Sequence, residues 1–599
     1  MAHGALHSTP ESVHERQPVL VGDRWVLAVD GRIDNRQAVS RELGLCGEDL
    51  DHLTDADLFT RAWLHWGLGF SKHVVGEFAL VVWDRQERRL QLVRDGVGQR
   101  PLFFAKSTRL LAFASEPESL LGLDGISHAC DEDALAYLLA SHFHTEDYSK
   151  TFYRDVRRVL PGEVLHATAT GDVALSRHWH IQPARLPNSR DPREYVESFR
   201  EVFGEAVRCR LRSLHRPALM LSGGIDSASV LTASHRVDSP AGLQRLLPIS
   251  LVGESGQACE ETRNIFHLLG DSDGIRVPMA GLSGNPLLQE LCDATWARAH
   301  PVDNSILYAR LCCLVARQAG TNVLLDGADG DVVMYSEGSQ AGTLALAGHP
   351  LRALREAKLS SRFHTYLQGV SPWRILLHGL AATLQPSWLA EWRYRQNDGR
   401  RGDAGLGPWI DGSFARRLHL RERSLEMVIQ NRRVRAHDDR AGVLIGTWWN
   451  PGLIRSMEGA DRTAACFGVE ARHPWCDQRV LEFFLGLPED FVARDGWTKW
   501  IARTAYAEDL GGEVAWHTGK RHLGSGLVSL VADAGKECIA ALLAEAEGRL
   551  HGVVDAEALS GLRAVWAKNC NVGDDVDIDQ VMLIATLAAW MKRFDLHAG

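Results

Sequence analysis

The sequence predicts two domains, a sheet-rich layered domain followed by a doubly wound α/β domain. Three observations carry that expectation. At 599 residues the chain is too long for a single domain. Its first part is dominated by strand-like runs with few helices between them. Its second part alternates short apolar runs with helical patterns, the signature of a parallel sheet whose ligands sit at the C-terminal strand ends, near a switch in strand order.

In the first part, residues 24–33 read as a strand running into Asp34-Asn35-Arg36, with a helix at about 37–43. Residues 76–83 and 89–94 form a hairpin about the polar turn Asp84-Arg85-Gln86-Glu87, and 110–115 is a further strand. A polar, proline-containing linker occupies 186–192. The helical pattern at 195–212 places Phe199, Val202, Phe203, Ala206 and Leu211 on one side. Strands at 218–221, 246–251 and 276–278 then alternate with helices at about 227–235 and 260–269. Another helix, at about 306–318, leads to a strand at 322–326. The tail, 579–594, reads as an amphipathic helix with Val581, Leu583, Ile584, Leu587, Ala588 and Met591 inward.

Composition narrows the function class. A net charge of −10 argues against a general nucleic-acid binder. Eleven dispersed cysteines without a C-x-x-C pair suit reduced thiols in a cytoplasm. The start, Met-Ala-His-Gly-Ala-Leu-His, carries no basic-plus-apolar signal, and no apolar run approaches the roughly 20 residues that span a bilayer. The expectation is a soluble cytoplasmic protein without nucleic-acid or membrane partners.

The most informative stretch is Leu221-Ser222-Gly223-Gly224-Ile225-Asp226-Ser227. An apolar strand runs into two glycines and a helix, whose unpaired N–H groups and positive dipole end suit a phosphate. A carboxylate beside a phosphate requires a cation between them, and Mg²⁺ commonly bridges the two. A bare S-G-G also fits a tight turn with a helix cap. The whole S-G-G-x-D-S string resembles the PP-loop of ATP pyrophosphatases, which split ATP into AMP and pyrophosphate. No Walker A pattern occurs. A second loop, Asp326-Gly327-Ala328-Asp329-Gly330-Asp331, follows the strand at 322–326. Alone it also fits a solvated acidic turn or a loose calcium-like loop.

Several further strings, in order, resemble class B asparagine synthetases. They are Asp30-Gly31-Arg32-Ile33-Asp34-Asn35, Gly76-Glu77-Phe78-Ala79, the run from Arg94-Asp95-Gly96 to Gln99-Arg100-Pro101-Leu102, and Arg177-His178-Trp179. Later come Gly468-Val469-Glu470-Ala471-Arg472-His473-Pro474-Trp475-Cys476-Asp477, Gly496-Trp497-Thr498-Lys499-Trp500, and Trp516-His517-Thr518-Gly519-Lys520-Arg521. The resemblance implies an N-terminal-nucleophile αββα glutamine amidotransferase-like domain at 1–185 and a PP-loop adenylating domain at 190–599.

On that resemblance ATP is lined by Leu221, Ser222, Gly223, Gly224, Asp226, Ser227, Ser250, Leu251, Asp326 and Gly327, and Mg²⁺ is held by Asp226 and Asp331. Lys520, with Arg521 as the one-residue alternative, is the catalytic lysine that stabilises charge on the acyl-adenylate. Glu470 either orients or deprotonates an attacking amine or pairs structurally with Arg472. Two positions depart from the family. Its nucleophilic cysteine follows the initiator Met, where this chain has Ala2, so an inactive glutaminase is expected. Rescue by Ser8 or Thr9 would need prior trimming. Asparagine synthetases carry Glu at position 328 and β-lactam synthetases Tyr, where this chain has Ala328.

With the Arg- and Trp-rich stretch at 340–460, these departures look most like lasso-peptide cyclases. That stretch fits helices with a solvated basic face, or a groove for an extended peptide. The cyclase resemblance implies ATP and Mg²⁺ as cofactors and a precursor core peptide as substrate, with a leader peptidase and a leader-binding protein as pathway partners. The alternatives are an asparagine synthetase-like or β-lactam-synthetase-like ligase acting on a small amino acid, or a non-catalytic scaffold.

Overall fold

The computed structural model describes the chain except residues 46–49, 51, 141–146, 188, 190, 238–245, 254–258, 271, 303–305, 337–338, 365, 385, 387, 390, 394, 397–405, 408, 438–439, 519–522, 569–576 and 599, and except the side chains of 382–383, 428, 431–437 and 568. The first domain comprises β1 (Val19–Val21), β2 (Trp25–Ile33), α1 (Arg36–Glu42), α2 (Asp55–Trp66), β3 (Gly76–Asp84), β4 (Arg89–Arg94), β5 (Phe103–Lys106), β6 (Leu111–Ala114), α3 (Glu132–Leu139), β7 (Val156–Arg158), β8 (Glu163–Thr168) and β9 (Val173–Arg177). Its antiparallel strands form a six-stranded sheet, β1-β2-β3-β4-β8-β9, and a three-stranded sheet, β6-β5-β7.

The period-two alternation of the strands sets the layers. On β3, Phe78, Leu80 and Val82 pack against Leu58, Phe59 and Ala62 of α2. Ala79 and Val81 face the other way, toward Leu102, Phe104 and Phe113 of the small-sheet region. On β5, Phe103 and Ala105 turn outward to Leu135, Ala136 and Leu139 of α3. The order is helix, sheet, sheet, helix, the αββα architecture the resemblance implies.

The second domain continues with α4 (Pro192–Arg210), β10 (Ala218–Met220), α5 (Ile225–Arg236), β11 (Leu247–Val252), α6 (Glu260–Leu269), β12 (Ile275–Pro278), α7 (Pro286–Ala297), α8 (Leu307–Gln318), β13 (Val323–Leu325) and β14 (Glu470–Arg472). These five strands are all parallel, in the order β12-β11-β10-β13-β14. The winding direction reverses between β10 and β13, which opens a crevice at their C-terminal ends. The helices Ala341–Leu346, Pro350–Phe363 and Pro372–Leu384 make a small bundle with its own core of Ala341, Ala353, Ala357, Ile375 and Leu376. Gly342 and Gly379 let two of them touch, since a Cβ on Gly342 would lie 2.4 Å from the Gly379 carbonyl carbon.

The tail helix, Ile578–Arg593, departs from the amphipathic expectation. Met582, Ala585, Thr586, Ala589 and Trp590 are buried as well as Val581, Ile584, Leu587, Ala588 and Met591, and Leu583 is half-buried. The reason is that this helix lies between the domains: Trp590 donates to the Tyr153 hydroxyl at 2.8 Å, and residue 597 bridges to Ala129. One hydrophobic core therefore contains Phe103 and Leu135 together with Leu311 and Trp590. No helix among the described residues is long and apolar enough to cross a membrane.

A buried ion-pair cluster seals the rest of the interface. Arg32 pairs with Asp34 at 2.8 Å, Glu77 at 3.1 Å and Glu470 at 2.7 Å. Arg210 pairs with Glu77 at 3.0 Å and Asp477 at 2.6 Å. Glu458 receives Arg94 at 3.1 Å and Arg158 at 2.9 Å. Removing one member of such a set strands the others without counter-charge. Glu458→Ala is therefore expected to destabilise the folded chain by about 3–5 kcal/mol. Arg193→Ala, at the surface Arg193–Asp191 pair, is expected to have a far smaller effect; chemical denaturation of both variants checks the contrast.

Candidate active site

Both predicted nucleotide loops emerge at the switch point, one from β10 and one from β13. In the first, Gly223 adopts φ +78°, and a Cβ there would lie 2.5 Å from the Glu261 carbonyl oxygen. Gly224 caps α5, so the helix N-terminus faces the crevice. Ser227 Oγ lies 3.2 Å from Ser222 Oγ and accepts the Ser222 N–H at 3.2 Å, closing the turn. The second loop packs directly on the first. A Cβ on Gly327 would lie 2.4 Å from the Ser227 nitrogen, and one on Gly330 would lie 2.6 Å from Asp226 Cγ. Both positions require glycine because the loops touch.

This packing brings Asp226 and Asp331 together around one ammonium. Lys499 Nζ lies 2.5 Å from Asp226 Oδ2 and also pairs with Asp331. Lys499 has φ +57° and follows the short hairpin Ala493–Arg494/Trp497–Thr498, so a strained backbone aims it at the carboxylates. Arg503 stands behind it, donating to the Thr498 carbonyl at 2.8 Å and the Ala515 carbonyl at 2.6 Å. Burial lowers its guanidinium to about 10 despite Asp226 and Asp331.

The sequence reading missed the role of Lys499. A usable signal exists: Lys499 is the one lysine between Lys358 and Lys520, in a stretch that otherwise uses arginine. A compact ammonium suits the space between two carboxylates better than a planar guanidinium.

The tetrapeptide after β14 holds both loops. Trp475 donates its indole N–H to the Asp226 carbonyl at 3.1 Å. His473 Nδ1 is 3.0 Å from Asp326 Oδ1, which also accepts the Ala328 N–H at 3.1 Å. Burial pulls the His473 imidazole down, but Asp326 and Asp329 overcome it and raise it to about 9, so it is a cation at neutral pH. Cys476 donates its thiol to Asp329 at 3.5 Å. Asp329 has φ +64°, and burial raises its carboxyl to about 6.

The other predicted residues are placed as follows. Leu221 is buried, and its carbonyl accepts the Tyr308 hydroxyl at 3.1 Å. Ser250 and Leu251 are buried within β11. Lys520 and its alternative Arg521 lie outside the described residues. Glu470 is not a base at the crevice. It sits at the start of β14, paired with Arg472 at 2.8 Å, Arg32 at 2.7 Å and Arg100 at 3.0 Å, and it accepts the Ser8 hydroxyl. Burial would raise its carboxyl, but Arg472, Arg100 and Arg32 hold it well below the usual range. It is the structural partner of Arg472. Ser8, weighed as a replacement nucleophile, is buried in this same contact.

The donors fit Mg²⁺ and a nucleotide. Asp226 and Asp331 are hard oxygen ligands, the α5 N-terminus supplies N–H groups, and the buried Ser250 hydroxyl has no partner among the described residues. Lys499→Met is expected to leave the two carboxylates facing each other and to cost roughly 1–3 kcal/mol. Millimolar Mg²⁺ is expected to restore its melting temperature, with little effect on the parent protein. Absence of any Mg²⁺ response in the variant would exclude a cation site between these carboxylates.

A glutamine amidotransferase domain model matches residues 2–179 and an asparagine synthase model residues 198–592. A putative glutamine-hydrolysing asparagine synthetase of Mycobacterium bovis is 26% identical over 514 residues, 82% of this chain and 74% of its own length. Asparagine synthetase 3 of Bacillus subtilis is 24% identical over 225 residues, 37% of this chain and 36% of that protein. Amidase chyE of Penicillium rubens is 32% identical over 179 residues, 30% of this chain and 26% of that protein. In several such matches the shared region spans less than half of the relative. A solved B. subtilis glutamine phosphoribosylpyrophosphate amidotransferase, 16% identical, covers 34% of this chain and 43% of its own, at a TM-score of 0.21. The asparagine synthase model alone spans well over half of the sequence, so the chain belongs to the asparagine synthase family.

Proposed function

We propose that this protein is an ATP-dependent, AMP-forming carbon–nitrogen ligase that closes a macrolactam in a leader-cleaved precursor peptide. The observation that carries the ligase chemistry is the convergence of Asp226, Asp331 and Lys499 at the switch point, beside the α5 N-terminus. An Asp or Glu side-chain carboxylate of the peptide attacks the α-phosphorus of ATP, and the bond to the β-phosphate breaks to release pyrophosphate. Asp226 and Asp331 would hold Mg²⁺, which when bound would supply charge screening for the leaving pyrophosphate. Lys499 adds a fixed positive charge at the same point, and Lys520 is assigned to the acyl-adenylate oxygens. The peptide's own α-amine then attacks the carbonyl carbon. AMP leaves with the C–O electron pair, the amine loses a proton, and an isopeptide bond remains.

Three observations support a peptide that brings its own amine. Ala328 puts no polar side chain on the second nucleotide loop. The described cysteine of the first domain, Cys130, is buried, with its thiol pushed up to about 12 by burial, so it is no glutaminase nucleophile. The helical insertion also presents an exposed aromatic surface, with Trp373 62%, Trp388 67% and Trp392 56% exposed. It abuts the hairpin that carries Lys499: Phe363 stacks on Trp497 at 4.7 Å, and Glu356 accepts the Gly496 N–H at 3.1 Å. Of its predicted arginines, Arg352 and Arg355 pair with Asp490 and Asp495. Arg400 and Arg401 lie outside the described residues. The leader peptidase and leader-binding protein belong to this proposal as the supply of a free amine. The second reading, amide formation on a small amino acid with ammonia, is favoured by the relatives named asparagine synthetases.

Incubation with ATP, Mg²⁺ and a candidate core peptide is expected to yield AMP and a peptide lighter by one water. Asp226→Ala and Lys520→Ala are each expected to abolish the product. ADP in place of AMP would refute the ligase class, and AMP formed only with aspartate and ammonia would refute the macrolactam reading.

A further inference from the structure

Lys499 reaches the two carboxylates from a turn that its own backbone disfavours. A φ of +57° costs a non-glycine residue about 1–2 kcal/mol and persists where the surroundings enforce it. The enforcing contacts converge on one side chain, Arg503, which is 6% exposed. Its Nε donates to the carbonyl of Thr498, the residue before Lys499, at 2.8 Å. Its backbone N–H donates to the Lys499 carbonyl at 3.1 Å. Its Nη1 donates to the carbonyl of Ala515, the last residue of the helix Trp500–Ala515, at 2.6 Å. Gly511, non-helical at φ +70°, breaks that helix, so its end returns to Arg503. The guanidinium also lies 5.2 Å from the ring centre of Trp497, and that ring meets Phe363 at 4.7 Å and Trp516 at 5.3 Å. A planar fork serves two carbonyls and a ring at once, which a point-like ammonium in the same place does not. These contacts offset the cost of burying the charge.

We propose that Arg503 is a positioning residue for the carboxylate pair: it clamps the turn that keeps the Lys499 ammonium between Asp226 and Asp331, and so sets how readily those carboxylates take up a divalent cation. The proposal rests on Asp226 and Asp331 as the metal ligands and does not depend on which amine accepts the activated acid. Lys499 and the metal compete for the same oxygens. A turn released from Arg503 gives up its strained angle, the ammonium leaves its fixed place, and the carboxylates pass to the metal.

Titration with Mn²⁺, which accepts the same oxygen ligands as Mg²⁺, tests this without nucleotide or turnover, the free ion being counted by electron paramagnetic resonance. The four proteins compared are the parent, Arg503→Lys, Lys499→Met and the double variant. Arg503→Lys keeps the charge and loses the fork, so its own Coulombic effect on the site is retained. It is expected to tighten Mn²⁺ binding about fivefold in the parent background and less than about twofold in the Lys499→Met background, the non-additivity of a residue that acts through its neighbour. Trp497→Leu removes the ring beside the guanidinium and leaves both hydrogen bonds. It is expected to show the same pattern at smaller size, and it supplies the comparison should Arg503→Lys not fold. Equal tightening in both backgrounds, which a merely structural or independent role of Arg503 would give, overturns the proposal, as does unchanged or weaker binding in the parent background. Absence of Mn²⁺ binding in all the proteins overturns the metal assignment and the proposal with it.

Discussion

Two carboxylates drawn from different loops to one point repel each other unless a cation lies between them. Much of the second domain answers that constraint. The β12-β11-β10-β13-β14 strand order puts the ends of β10 and β13 side by side. Glycines at 327 and 330 remove the side chains that would hold the loops apart. The strained turn at Lys499 then inserts an ammonium between Asp226 and Asp331. A site so arranged can exchange part of its protein counter-charge for a metal–phosphate group without rebuilding its backbone, the form of preorganisation that electrostatic catalysis requires.

The position of that site is inherited from the domain interface. The segment His473–Cys476 bonds to both nucleotide loops, and it follows directly on Glu470 and Arg472 in the buried cluster. Gln99 of the first domain donates to the Cys476 carbonyl at 3.0 Å, so the clamp is gripped from the other side as well. The first domain thus contributes to nucleotide-loop geometry whatever its own chemistry. Buried ion pairs of this kind add little net stability over an apolar contact, yet losing one partner is costly. They therefore fix the relative position of the domains more than they strengthen the fold.

Much of this was legible in the sequence, and the failures have physical causes. Parallel strands and loop glycines are local signals, and β2, β3, β4, β10, β11 and α6 lie where periodicity places them. Asp226 and Asp331 could be paired because each follows a glycine-containing loop after a short apolar strand of the same kind. Glu470 misled because a Glu beside an Arg in a motif reads equally as catalyst or ion pair. Only the positions of Arg32 and Arg100, hundreds of residues away in sequence, decide between them. Arg32, Glu77 and Arg100, which carried the family resemblance, converge on the interface instead of the crevice. The tail helix packs on the core, as its apolar pattern implies, but its second apolar face meets the first domain, a contact no local pattern records. Lys499 was overlooked because its importance comes from one backbone angle.

The central claim is that the crevice between β10 and β13 activates a carboxylate as its AMP ester. The most direct measurement uses a synthetic core peptide whose acidic side chain carries ¹⁸O, incubated with ATP and Mg²⁺, followed by mass spectrometry of the nucleotide released. The account predicts AMP carrying one ¹⁸O from the peptide carboxylate. Label appearing in inorganic phosphate alongside ADP, or product formed with unlabelled AMP, would contradict it.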